Sequence, residues 1–216
     1  MEIRIHRIKF TQKAYLIQKT KLKRLYIISG CNGAGKTTAS YTILPEILEC
    51  DEFVNADEIA KGLAPFNPDA ASLQAGRLML LKIHKLFSLG KDFAIETTLA
   101  TRSHRNLVNK AHNLGYKVTL LFFWLRNPDL AIKRVKIRVL EGGHNIPEEV
   151  IRRRYQNGLR NFFTIFLGIV DEWIFIDNSG SPYETLAQMV NNEVTIYKAE
   201  IWSKLQTNYL TGPYDR

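Results

Sequence analysis

With 216 residues, 45% of them hydrophobic and 24% charged, the chain has the make-up of one globular domain with a full core. No apolar run approaches the roughly 20 residues that a membrane-spanning helix needs, and the basic N-terminus lacks the continuous apolar centre of a signal peptide. A net charge of +9 leaves nucleic acid, a membrane surface and an anionic small substrate open as partners.

The first 24 residues carry Lys9, Lys13, Lys19, Lys21, Lys23 and Arg24, with Ile3, Ile5, Ile8 and Phe10 between and before them. They predict either an edge strand or a basic extension that orders on binding, ahead of a single domain over 25–216. Leu25-Tyr26-Ile27-Ile28 reads as a buried parallel strand. A glycine-rich loop follows, and a helix from Lys36 toward Tyr41. Phe53-Val54 is a second strand, ending at Asn55-Ala56-Asp57. Asn67 and Pro68 predict a cap and first turn. Their helix is expected to reach about Leu89 with Leu73, Leu80, Ile83 and Phe87 on its apolar face. Phe93-Ala94-Ile95 is the third strand and leads into Glu96-Thr97-Thr98. A helix from Arg105 to Leu114 stops at Gly115. Val118 to Leu125, apolar on both alternations, predicts a central strand covered on both faces.

Asn127-Pro128 opens a helix to about Leu140, Gly142-Gly143 break it, and Pro147 opens the next. Together these arginine-rich helices, about 133–160, predict a lid. Trp173 to Ile176 is the fifth strand, and 183–205 is helical in composition. Strands alternating with helices give an α/β fold with a five-stranded parallel sheet flanked by helices.

The loop meets the pattern G-x-x-x-x-G-K-[ST] through Gly30, Gly35, Lys36 and Thr37. Convergent backbone N–H groups and a helix N-terminus make it a phosphate cradle. The predicted ATP-binding set is Gly30, Cys31, Asn32, Gly33, Ala34, Gly35, Lys36, Thr37 and Thr38. Lys36 is expected to reach the β- and γ-phosphates and Thr37 to ligate Mg²⁺. Cys31 lies inside this loop and Cys50 is the only other cysteine. No structural disulfide is expected, and a cytoplasmic location is. Asn109-Lys110-Ala111-His112 lacks the aspartate of a guanine-reading motif. Asp177-Asn178-Ser179-Gly180 comes too late to sense a γ-phosphate, and no strand ends in a Walker B aspartate. GTPases and motor ATPases are set aside on these grounds.

In an open α/β sheet ligands bind at the carboxyl ends of the strands, which brings Lys36, Asp57, Glu96 and Thr98 to one crevice. Asp57 is placed to accept the proton of an acceptor hydroxyl, and Glu96 and Thr98 to hydrogen-bond a polyhydroxylated substrate. Asp57 has an alternative as the N-cap of a helix from Glu58, and Glu96 as a partner of the Mg²⁺ site. Arg134 and Arg138, at i and i+4, share a helix face and are the lid cations expected near the phosphates. Arg152, Arg153 and Arg154 cannot all face inward, and a solvated basic helix pair is the alternative to a lid. Asn178 after the fifth strand is expected to form an adenine-side wall.

Together these landmarks resemble the zeta toxin family of P-loop kinases over about Leu25 to Gly180. The resemblance is carried by GCNGAGKTT, VNADEIAKGLAPFNPDAASLQAGRLML, FAIETTLATR, GGHNIPEEVIRRRYQNGLRNF and FIDNSG. It implies a nucleotide-kinase-like fold and transfer of the γ-phosphate of ATP to a hydroxyl, which in the family's characterised toxins belongs to UDP-N-acetylglucosamine. It also implies that Lys36 grips the phosphates, Asp57 is the general base, Glu96 and Thr98 contact the substrate, and Arg134 comes from the lid. A glutamate and an arginine of the toxins' sugar-nucleotide site are matched here by Leu80 and Ala100, with Arg102 a nearby substitute. A second ATP-side arginine is matched by His144. An antitoxin protein is a possible partner by the same resemblance. The alternatives to a small-molecule kinase are a nucleic-acid or nucleoside kinase or binder, which the basic charge supports, and a partner-regulated, toxin-like ATP-binding module without small-molecule kinase activity.

Overall fold

The computed structural model describes residues 22–143 and 145–210. The predicted N-terminal strand or extension therefore lies almost wholly outside the described residues, and His144 lies outside them too. Five parallel strands occupy most of the sheet: β1 (Lys23–Ser29), β2 (Phe53–Val54), β3 (Phe93–Thr97), β4 (Tyr116–Trp124) and β5 (Glu172–Asp177). Leu25, Ile27, Phe93, Ile95, Val118 and Leu120 are all buried, because helices cover both faces of these strands.

Two further strands correct the expected count. β6 (Glu184–Val190) and β7 (Glu193–Ile196) extend the sheet antiparallel, giving the order β2-β3-β1-β4-β5-β6-β7. The helix expected over 183–205 is confined to α7 (Ala199–Leu210). The physical reason lies in Asn191-Asn192, whose φ angles of 53° and 65° make the tight left-handed turn of a two-residue hairpin. Asparagine tolerates that conformation, and two of them interrupt a segment whose composition otherwise suits a helix.

The connecting helices are α1 (Lys36–Thr42), α2 (Ala56–Leu63), α3 (Ser72–Ser88), α4 (His104–Asn113), α5 (Pro128–Leu140) and α6 (Glu148–Thr164). A π-helical turn (Ile43–Ile47) continues α1, and a 3₁₀ turn (Pro68–Ala71) precedes α3. Asn67 makes no side-chain cap there, while Pro68 does open the turn. The apolar face of α3 also differs from expectation. Ala75, Ile83, Leu86 and Phe87 are buried, but Leu73 and Leu80 are 69% and 59% exposed. Counting back from Ile83 in steps of about a turn reaches Met79 and Ala75 to one side of it, whereas Leu73 and Leu80 lie to the other side, on the flank of the buried face.

Register fixes where a ligand can bind. Ser29 of β1 pairs with Thr97 of β3 on one side and Phe122 of β4 on the other. The chain turns one way from β1 to reach β3 and the other way to reach β4, so their carboxyl ends flank a topological switch point.

The other end of the sheet is held by aromatic packing. Trp202 of α7 stacks on Trp173 of β5 with ring centroids 5.3 Å apart and planes at 7°, and meets Phe163 at 5.2 Å. It is 3% exposed. Trp202→Ala is expected to cost about 3–5 kcal/mol in urea unfolding by leaving a cavity between α7 and the sheet; a loss within experimental error would show that α7 is not part of the cooperative core.

Candidate active site

The phosphate loop forms because the chain must leave β1 and enter α1 within a few residues. Gly35 has φ 85°, and a Cβ on it would stand 2.3 Å from the Asn178 side-chain nitrogen. That nitrogen donates to the Ala34 carbonyl at 2.7 Å, while the Asn178 backbone N–H donates to Trp124 O at 2.9 Å. Asn178 therefore braces the loop from the end of β5. Beside it, the Arg134 guanidinium approaches the Ser179 carbonyl at 3.5 Å from α5.

Lys36 begins α1 and is only 6% exposed. Its ammonium donates to Cys31 O at 3.0 Å and lies 3.5 Å from Glu96 Oε1. The other carboxylate oxygen of Glu96 accepts from Thr37 Oγ1 at 2.8 Å and from Asn55 Nδ2 at 2.9 Å. Residues from three separate strand ends thus meet on one carboxylate. Cys31 is buried against this cluster, and burial pushes its thiol up to about 11 despite the neighbouring Lys36 charge. It stays a neutral thiol at ordinary pH.

Asn55 is the functional residue that the sequence reasoning passed over. Its side-chain oxygen accepts from the Asp57 N–H at 2.8 Å and more weakly from Glu58 N–H at 3.4 Å, so it caps α2. Asp57 is not the N-cap. It sits exposed in the first turn, where the helix dipole favours a carboxylate. An Asn directly before a helix is the signal that identifies such a cap.

The loop after β3 is held from the far side. Leu99 is buried with φ 57°, a left-handed backbone that costs a non-glycine residue roughly 1–2 kcal/mol. Its N–H donates to Thr97 Oγ1 at 3.0 Å and its carbonyl accepts from Asn161 Nδ2 of α6 at 2.8 Å. One turn earlier on α6, a Cβ on Gly158 would meet the Thr98 carbonyl at 2.7 Å. Thr98 and Ala100 are half-buried in this loop, and Arg102 is exposed at its end.

The predicted arginines separate. Arg138 lies in the last turn of α5, its carbonyl accepting from Gly143 N–H at 2.8 Å. Arg152 pairs with Asp129 at 2.6 Å on the surface, whereas Arg154 Nη1 donates to Asn32 Oδ1 of the phosphate loop at 3.0 Å. Three consecutive arginines offered no sequence signal for choosing among them. Thr38 is exposed on α1. One face of α6 is not solvated: Ile151, Tyr155, Leu159 and Phe162 are buried.

A model of the zeta toxin family matches residues 8–184. The chain belongs to the zeta toxin family. An uncharacterised protein of Haemophilus influenzae is 29% identical over 126 residues, 58% of this chain and 88% of that relative. Among solved structures, a chain of the AvrRxo1-ORF1:-ORF2 complex with ATP is similar with TM-score 0.71 at 16% identity. That match covers 87% of this chain and 64% of the other, so this zeta toxin family member spans less than two thirds of it. A chain of the PezAT chromosomal toxin–antitoxin system of Streptococcus pneumoniae has TM-score 0.60 at 17% identity, covering 91% of this chain and 82% of the other. At these identities the solved structures establish the P-loop kinase fold. Family membership adds a nucleotide-dependent, kinase-like character to the phosphate loop.

Removing the clamp on the loop after β3 tests how that loop is held. Asn161→Ala leaves the buried Leu99 carbonyl without its side-chain donor and is expected to cost about 1–3 kcal/mol in urea unfolding. No measurable loss would show that the contact does not hold the strained turn.

Proposed function

We propose that this chain is an ATP- and Mg²⁺-dependent kinase that transfers the γ-phosphate to a hydroxyl of a small molecule. The observation that carries this reading is the Glu96 carboxylate, which joins Lys36 and Thr37 of the donor loop to Asn55, the cap of the Asp57 helix. Donor loop and base are thereby set on one rigid frame, as phosphoryl transfer by positioning requires.

In this mechanism the loop N–H groups and Lys36 bind the triphosphate, and Arg134 adds charge from α5. Asn178 keeps the loop in shape on the nucleoside side, with Thr38 and Arg138 at the margins of the donor site. Mg²⁺, when bound, offsets phosphate charge; the Thr37 hydroxyl and Glu96 carboxylate, oxygens 2.8 Å apart, are hard donors of the kind that would hold it. Asp57 accepts the proton of the acceptor hydroxyl as its oxygen bonds to the γ-phosphorus. The bond from that phosphorus to the β–γ bridging oxygen breaks, and ADP leaves. Glu96, Thr98 and Arg102 face the acceptor.

The acceptor is a small hydroxyl compound, with nucleotide sugars the first class to test. Leu80 is exposed on α3 and Ala100 is half-buried, and neither brings the charge that the family's sugar-nucleotide site uses at those positions. The two fold relatives come from two-component assemblies, one described as a toxin–antitoxin system. That favours a second element of the reading, a protein partner of antitoxin type that regulates the enzyme in the cytoplasm.

Asp57→Asn is expected to lower phosphoryl transfer by about 10²–10⁴-fold while leaving ATP affinity, read by calorimetry, nearly intact. Lys36→Ala should weaken both. Unchanged turnover in Asp57→Asn would remove Asp57 from the role of base.

A further inference from the structure

Helix α6 touches both sides of the crevice with one face. Arg154, Gly158 and Asn161 stand at i, i+4 and i+7, so they share a stripe of the helix. Arg154 reaches Asn32 in the donor loop at 3.0 Å, Gly158 packs on the Thr98 carbonyl, and Asn161 holds Leu99 at 2.8 Å. The guanidinium therefore stands at the end of this stripe that meets the phosphate loop, one turn before the residue that packs on the loop after β3.

Asn32 is 5% exposed, and its neighbour Cys31 offers the carbonyl that Lys36 binds at 3.0 Å. Two cations thus reach adjacent residues of the loop, Lys36 from α1 on Cys31 and Arg154 from α6 on Asn32. Their electrostatic situations differ. Lys36 has Glu96 at 3.5 Å, whereas Arg154 has no carboxylate within ion-pair distance among the described residues. Its recorded partner is a neutral amide oxygen. A guanidinium carries five N–H donors and binds oxyanions through a planar fork, so one amide oxygen leaves most of its capacity and its charge uncompensated. A half-buried cation in that state is suited to an anion that arrives from outside.

Through Lys36 this loop is also linked to the acceptor side of the proposed site. Glu96, beside the Lys36 ammonium, hydrogen-bonds Asn55, which caps the helix bearing Asp57. Taking the donor site as an ATP site, on which this inference rests, the terminal phosphate is the one nearest that side.

We propose that Arg154 is a catalytic residue of the donor site that binds the terminal phosphate of ATP. One edge of the guanidinium stays on Asn32, and the other meets the γ-phosphate oxygens. As the bond to the β–γ bridging oxygen breaks and the bond to the acceptor oxygen forms, the guanidinium stays with the phosphoryl oxygens and offsets their charge.

ADP lacks the group that Arg154 is assigned to bind, so the two nucleotides separate this role from a structural one. Calorimetric binding of ATP and ADP to the full chain, with Mg²⁺, is compared for wild type, Arg154→Ala, Arg154→Lys and the surface control Arg152→Ala. Arg154→Ala is expected to weaken ATP by about ten- to hundredfold and leave ADP within about threefold, which also reports an intact fold. Arg154→Lys should recover part of the ATP loss, and Arg152→Ala should match wild type. If ATP and ADP weaken equally, or if neither changes, Arg154 does not bind the terminal phosphate, although the kinase reading survives. A wild-type chain that binds neither nucleotide overturns both.

Discussion

The carboxylate of Glu96, at the end of β3, binds partners that follow β1 and β2, and the crevice takes its shape from that convergence of three strand ends. Lys36 and Glu96 are nearly buried, with side chains 7% and 8% exposed. Burying two opposite charges is costly, and the cost is offset only when geometry and additional hydrogen bonds are good. Here Cys31 O binds the ammonium, and Thr37 and Asn55 bind the carboxylate. The pair therefore holds the loop in one shape. On the proposed reading, Lys36 would exchange a carbonyl and a carboxylate for phosphate oxygens, and the Glu96 and Thr37 oxygens would then be available to a cation. Preorganisation of this kind removes much of the reorganisation cost from the reaction itself.

Helix α6 plays the corresponding part for the space between donor and acceptor. Its apolar side is locked into the core through Leu159, Phe162 and Phe163. Its polar stripe is consequently fixed relative to the sheet. A strained, buried Leu99 persists because Asn161 and the close approach of Gly158 over-determine the loop around it. The segment expected as a lid therefore combines α5 with a helix whose second half is core.

Much of this was legible in the chain. The phosphate loop declares itself because few residue types satisfy its backbone, and the strand–helix alternation follows from short apolar runs separated by glycine and asparagine. Asp57 and Glu96 fall at strand ends by counting alone. The hairpin β6–β7 was hidden because its residues have ordinary helix propensities and only Asn191-Asn192 mark the turn. The part played by Asn55 depends on Glu96, distant in sequence, and so is not written in its local sequence. Arg154 could not be told from Arg152 and Arg153, since the angular position of α6 is set by core packing. Leu73 and Leu80 share a helix face with Ile83 by spacing, but the core lies on the side of Ile83 that carries Ala75 and Leu86.

The family and the geometry converge on a nucleotide-dependent kinase-like protein, and the acceptor is the quantity that defines its biology. The central claim is that the crevice transfers a phosphoryl group to a small hydroxyl compound. The most direct measurement is incubation with γ-labelled ATP and separate pools of nucleotide sugars, nucleosides and cell extract, followed by mass analysis of the labelled species. The account predicts a small molecule that gains one phosphoryl group as ADP forms in equal amount. Label appearing only as inorganic phosphate, or in no product from any pool, would contradict it.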